Sequence, residues 1–138
     1  MPHRFPFLLI DRMEDCEPGR YVKVVKNVSH SDWFLDRKLG NRHVMPQLLV
    51  LEALAQTAGV LCHYSGMTSA IGQSIIFFAG VDKLKFESDT GAGDRLVLEC
   101  TLNRSMRGVA KLSGRASVDG NTILAGDLTA VIRTVGQN

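Results

Sequence analysis

Leu48-Leu49-Val50-Leu51-Glu52-Ala53-Leu54-Ala55-Gln56-Thr57-Ala58-Gly59-Val60-Leu61 is the most apolar stretch of the chain, yet it carries one carboxylate and one amide. Pro46 stands just ahead of it, at a place in the first turn of a helix where its missing N–H is no loss. Good helix formers run on to Tyr64, and Gly66 supplies a stop. The spacing predicts a helix of about five turns. Because apolar residues lie on nearly every side, such a helix has to be surrounded by protein. Glu52 and Gln56 are four apart and share one face. A carboxyl in apolar surroundings favours its neutral form, the state a general acid needs near neutral pH. The plain alternative is an acid at the helix edge, or one paired with a base for structural reasons.

On either side of the helix the pattern changes. The opening residues 1–11 contain Pro2 and Pro6 and read as extended or turned. Glu17-Pro18-Gly19-Arg20 is a turn signal leading into a strand over residues 21–28. After Ser74 come short β-like runs: residues 75–81, 83–87, 95–102, 109–118 and 122–134. Asp119-Gly120 marks a tight hairpin between the last two. One early buried helix followed by consecutive strands predicts an α+β fold in which an antiparallel sheet wraps around one long central helix.

Length and composition narrow the function classes. The 138 residues suffice for one domain with its own core, and no repeat or linker divides them. A net charge of +2 excludes a global electrostatic case for nucleic acid. Cys16, Cys62 and Cys100 are odd in number and widely spaced, so they read as reduced thiols rather than a disulfide framework or metal site. The N-terminus lacks the features of a secretory signal, and residues 48–61 are too short and too interrupted to span a bilayer. A cytoplasmic protein without metal or cofactor is expected.

Specific motifs go further. The opening Pro2-His3-Arg4-Phe5-Pro6-Phe7-Leu8-Leu9-Ile10-Asp11-Arg12, the segment 41–47 and the helix Leu51-Glu52-Ala53-Leu54-Ala55-Gln56 resemble the FabZ-type β-hydroxyacyl-acyl carrier protein dehydratases, lyases of the hot-dog fold. Ala79-Gly80-Val81-Asp82-Lys83, Gly93-Asp94-Arg95-Leu96 and Arg104-Ser105-Met106-Arg107-Gly108 match as well, so the resemblance spans essentially all of residues 1–138. It implies a single hot-dog domain and a homodimer whose two sheets join into one, with sites at the seam. In such a site a histidine of one subunit takes the proton beside the thioester, and an acid on the other subunit's helix helps the β-hydroxyl leave. Glu52 falls on that acid's position, with Gln56 beside it as a substrate-binding residue. The partner implied is an acyl carrier protein bearing an acyl thioester, in fatty-acid biosynthesis or polyketide-type lipid metabolism.

One motif departs from the pattern. The family's histidine, in Gly-His-Phe-Pro-Gly, precedes the acid by fourteen residues, and Lys38 occupies that position here. A lysine, with an ordinary pKa of ~10.4, is already protonated where an imidazole can accept a proton. Lys38 beside an ionised Glu52 favours an ammonium–carboxylate pair, with both groups in the wrong state for dehydration. Histidine-based activity is therefore expected to be weakened or altered. Gln47 replaces the usual glycine at the helix start and narrows the approach to its backbone N–H groups; Met45 and His43 are assigned with it to the substrate approach. As a relocated base His43 stands five residues too far along the chain, and bonding to loop backbone is expected for it.

Arg104, Arg107, Lys111 and Arg115 form the densest basic cluster, with Lys83, Lys85 and Arg133 as neighbours. Acidic carrier proteins dock on such surfaces, and Arg104 and Arg107 are assigned to that contact; an ordinary solvated strand surface is the alternative. Two functions stay open: a dehydratase-like protein with altered chemistry, or a non-catalytic subunit or binding module that pairs as a heterodimer with an active homologue. Thioester hydrolysis, with Glu52 activating water, has no positive sign in the sequence.

Overall fold

Successive backbone segments form β1 (Arg12–Glu17), β2 (Tyr21–Asn27), β3 (Lys38–Leu39), β4 (Arg42–His43), α1 (Gln47–Tyr64), β5 (Gln73–Phe86), β6 (Arg95–Met106), β7 (Val109–Val118) and β8 (Asn121–Val135). This computed structural model of the chain describes residues 9–29, 32, 38–39, 42–67 and 73–135. Six strands make one antiparallel sheet in the order β1-β2-β6-β7-β8-β5, and β3 and β4 make a separate two-stranded ribbon. The expected α+β hot-dog arrangement is present: one long helix against one wrapping antiparallel sheet.

The helix starts and stops where its residues dictate. Pro46 caps it with an extended ψ of 138°, and the Pro46 carbonyl accepts the N–H groups of Leu49 and Val50. At the other end Gly66 takes a φ of +75°, and the N–H groups of Gly66 and Met67 turn back to the carbonyls of His63 and Cys62. In between, Val50, Ala53, Leu54, Ala58, Val60 and Leu61 are buried.

Alternation along the strands supplies the facing surface. Val22, Val24, Leu96, Leu98, Leu112, Leu124 and Leu128 are all at most 1% exposed. Pairing aligns Val24 with Leu98, Leu98 with Ala116, and Ala116 with Leu124, so one apolar row crosses four strands. Gly114 lies in the same inner face, and a Cβ there would come within 2.8 Å of Leu54 Cδ2. The sheet thus has a notch that admits a fully buried leucine of the helix.

Two hairpins close on residues with positive φ at both central positions, Arg107-Gly108 and Asp119-Gly120, as tight turns of this twist require. The separate runs over 75–81 and 83–87 are joined in β5, a single strand with register shifts between Phe78 and Gly80 and between Asp82 and Lys85. β1 escapes the hydrophobic pattern because its residues are mostly polar and mostly exposed at the sheet edge. All three cysteines are free. No helix among the described residues is long and apolar enough to cross a membrane.

Two measurements check this packing. Gly114→Val places methyl groups against a side chain with no room to yield and is expected to lower stability by about 1–3 kcal/mol in denaturant unfolding. Burial pushes the Cys62 thiol up to about 11 and raises Cys100 further, while Cys16 is half-buried and less raised. A raised thiol carries less thiolate at pH 8, so native protein should release one equivalent with Ellman's reagent, from Cys16, and three only after unfolding.

Candidate active site

Glu52 and Gln56 lie one turn apart on α1, but burial treats them differently. Gln56 is 2% exposed, whereas Glu52 is half-buried. The Gln56 Oε1 accepts the Leu9 N–H at 2.8 Å, which fixes the polarity of the amide. A flipped amide would set a donor against a donor. Nε2 therefore faces the other way and reaches Glu52 Oε1 at 3.5 Å, a long contact that orients more than it binds. Four residues before Glu52, on the same face, Leu48 is 76% exposed. The helix thus shows an acid and an apolar side chain together on one face.

Leu9 is held where it is by its neighbours. The Asp11 N–H donates to the Val25 carbonyl, and Asp11 Oδ2 accepts the Asn27 N–H at 2.7 Å. The buried Lys26 ammonium of β2 stands 3.3 Å from Asp32 and 3.8 Å from Asp11, tying both carboxylates to that strand. None of these supporting groups was singled out from the sequence. A lysine among valines in a strand, as in Tyr21-Val22-Lys23-Val24-Val25-Lys26, reads as solvent-facing, and only the fold reveals that Lys26 is enclosed.

A second clamp fixes the segment that enters the helix. The Met45 N–H donates to the Thr90 carbonyl at 2.8 Å, the Ala92 N–H donates to the His43 carbonyl at 3.1 Å, and Val44 bridges Gly91. Asp94 shapes that loop, its Oδ2 accepting the Thr90 hydroxyl at 2.8 Å and the Gly91 N–H at 3.0 Å. The Gly93-Asp94 motif is therefore a support for residues 43–45.

The assigned residues distribute as follows. Met45 is 1% exposed and packs in the core, and Gln47 is exposed at the first position of α1. His43 is half-buried in β4, and the β3–β4 register sets it opposite Lys38. The basic cluster divides. Arg104 pairs in register with Lys111, and Arg107 sits in the adjoining turn, both arginines exposed. Lys111 bonds the Thr129 hydroxyl, whereas Arg115 is tied to the Gly120 carbonyl and Thr122 at the opposite end of β7. Residues 1–8, including His3, and residues 30 and 40–41 lie outside the described residues.

Comparison with known proteins gives this geometry its relatives. The FabA-like domain matches residues 1–127. A 3-hydroxyacyl-[acyl-carrier-protein] dehydratase FabZ of Thiobacillus denitrificans is 40% identical over 133 residues, covering 96% of this chain and 92% of the relative. The FabZ of Salmonella arizonae is 38% identical over 123 residues, covering 89% of this chain and 81% of its own. Among solved structures, the dehydratase heterocomplex ApeI:P of Xenorhabdus doucetiae superposes with a TM-score of 0.83 at 18% identity, over 98% of this chain and 89% of that one. A hot-dog-like protein of Thermanaerovibrio acidaminovorans gives 0.65 at 21% identity, over 87% and 85%. With its motifs, its fold and these relatives in agreement, the chain belongs to the FabA-like family, among the FabZ-type 3-hydroxyacyl-acyl carrier protein dehydratases.

Proposed function

We propose that this protein binds 3-hydroxyacyl groups carried by an acyl carrier protein and dehydrates them, in fatty-acid or polyketide-type lipid synthesis. The observation that carries the reading is the Leu9–Gln56–Glu52 relay, a carboxylate aimed by a buried amide on an enclosed helix. Glu52 is the acid that helps the β-hydroxyl depart as water. The first backbone N–H groups of α1, at Gln47 and Leu48, precede those already bonded to Pro46 and are the donors suited to the thioester carbonyl. Gln47, His43 and the exposed Leu48 border the approach, while Met45 shapes it from the core.

A dimer completes such a site. β5 lies at a sheet edge with Ile75, Phe77, Val81, Leu84 and Phe86 each 37–51% exposed. A long apolar edge of this kind is suited to strand pairing with a second copy. Arg104 and Arg107, exposed around one hairpin, are the groups assigned to the acidic carrier protein. Lys38 at the histidine's position weakens dehydration by the route its relatives use. A heterodimer with an active homologue is the second reading, favoured by Lys38 and by the likeness to a dehydratase assembled as a heterocomplex.

Turnover of a 3-hydroxyacyl-acyl carrier protein by the purified protein, followed by mass spectrometry, tests the first reading. Glu52→Gln should reduce the rate by about 10²-fold or more. Absence of product from both wild type and Lys38→His, with stable co-purification of a dehydratase homologue, would establish the second. Gln56→Leu should cost about 1–3 kcal/mol in urea unfolding, because the buried Leu9 N–H loses its acceptor, and should also lose hydrogen-exchange protection at Leu9.

A further inference from the structure

We infer that His43 is the base of this site, replacing the histidine that relatives carry at position 38; the assignment rests on the dehydratase reading above. Along an extended chain, five residues span about 17 Å, too far for one group to stand in for another. The fold removes that distance. β3 and β4 turn back on one another with Lys38 paired to His43 and Leu39 to Arg42. Opposite residues of an antiparallel pair lie ~4.5–5.5 Å apart at Cα, and their positions share one face of the ribbon. Position 43 is thus the cross-strand neighbour of position 38.

His43 also has the platform a base requires. Its carbonyl is held by the Ala92 N–H, and the next two residues are fixed to Gly91 and Thr90, whose loop is shaped by the Asp94 carboxylate. β4 leads directly into the helix that bears Glu52. An imidazole takes and returns a proton at neutral pH, whereas a lysine ammonium has no vacancy for one. The other described histidine, His63, is exposed in the last turn of α1, at the far end from Gln47.

In the reaction, an imidazole nitrogen of His43 takes the proton from the carbon beside the thioester carbonyl. The C–H electron pair becomes the new carbon–carbon double bond. The bond from the β-carbon to its hydroxyl breaks with its pair on oxygen, and the Glu52 carboxyl facing the substrate gives the proton that completes water. Imidazolium and carboxylate then exchange a proton through solvent and regain their starting states. No oxidant, metal or cofactor enters this balance.

The test uses the full-length protein, a 3-hydroxyacyl-acyl carrier protein for turnover, and a saturated acyl-acyl carrier protein in D₂O for exchange at the α-carbon. His43→Asn should lower kcat by about 100-fold or more with KM within about threefold, while Lys38→Met lowers it by less than about tenfold. Because exchange needs the base but no leaving group, His43→Asn should also abolish deuterium uptake and Glu52→Gln should retain it. His43→Gln, which keeps hydrogen bonding without a base, guards against loss through misfolding. Loss of exchange in Lys38→Met but not His43→Asn would overturn the assignment. So would turnover that appears only with a homologue whose own histidine is essential, or carrier-protein binding with neither turnover nor exchange. Failure to bind acyl carrier protein at all would remove the dehydratase reading itself, a result distinct from the others.

Discussion

A helix that is apolar on nearly all sides cannot be satisfied by one sheet, and the rest of this structure follows from that constraint. The sheet covers one side of α1, with Leu54 seated in the notch left by Gly114. Burying such a side chain contributes roughly 1.5–3 kcal/mol, so each further apolar flank draws chain across it. Leu9 and Ile10 pack into the core on one of these flanks, and residues 43–45 lead into the helix. These segments are irregular, and their backbone groups need partners once water is excluded. Gln56 satisfies Leu9, and the 90–94 loop satisfies His43 and Met45. Enclosing the helix therefore also brings these polar groups together around it.

That origin explains how one greasy helix tolerates both a carboxyl and an amide. Gln56 is enclosed because it is neutral and can be satisfied on both ends of its amide. Glu52, which is ionisable, remains only half-buried. The Leu9 N–H sets the direction of the amide, and the amide in turn presents a donor to the carboxylate. The support runs from backbone to amide to carboxyl.

What could be read from residues alone divides along physical lines. Periodicity and punctuation located α1 between Pro46 and Gly66, and Asp119-Gly120 located the last hairpin, because these features are local. β1 was missed since an exposed edge strand has no apolar face to alternate, and β5 was split because its bulges interrupt the period of two. A ribbon of two residues per strand, such as β3–β4, has no period at all. The same limit applies to the site. Glu52 and Gln56 were visible because one helix carries both, while the Leu9 contact and the Lys38–His43 register join residues by tertiary folding or a turn. Arg115 illustrates the converse: close in sequence to Arg107, it is carried to the other end of β7 and bonded there.

The constraint is still not fully met within one chain. Among the described residues, Leu48, on the face of α1 that bears Glu52, keeps 76% of its surface exposed, and the apolar side chains of the edge strand β5 are partly exposed as well. Strand pairing of β5 with a second copy, as proposed above, would close that edge. The proposed dimer is then no separate feature added to a finished fold. In that proposal the dimer continues the burial that begins around the helix, and a site at its seam would draw on both copies.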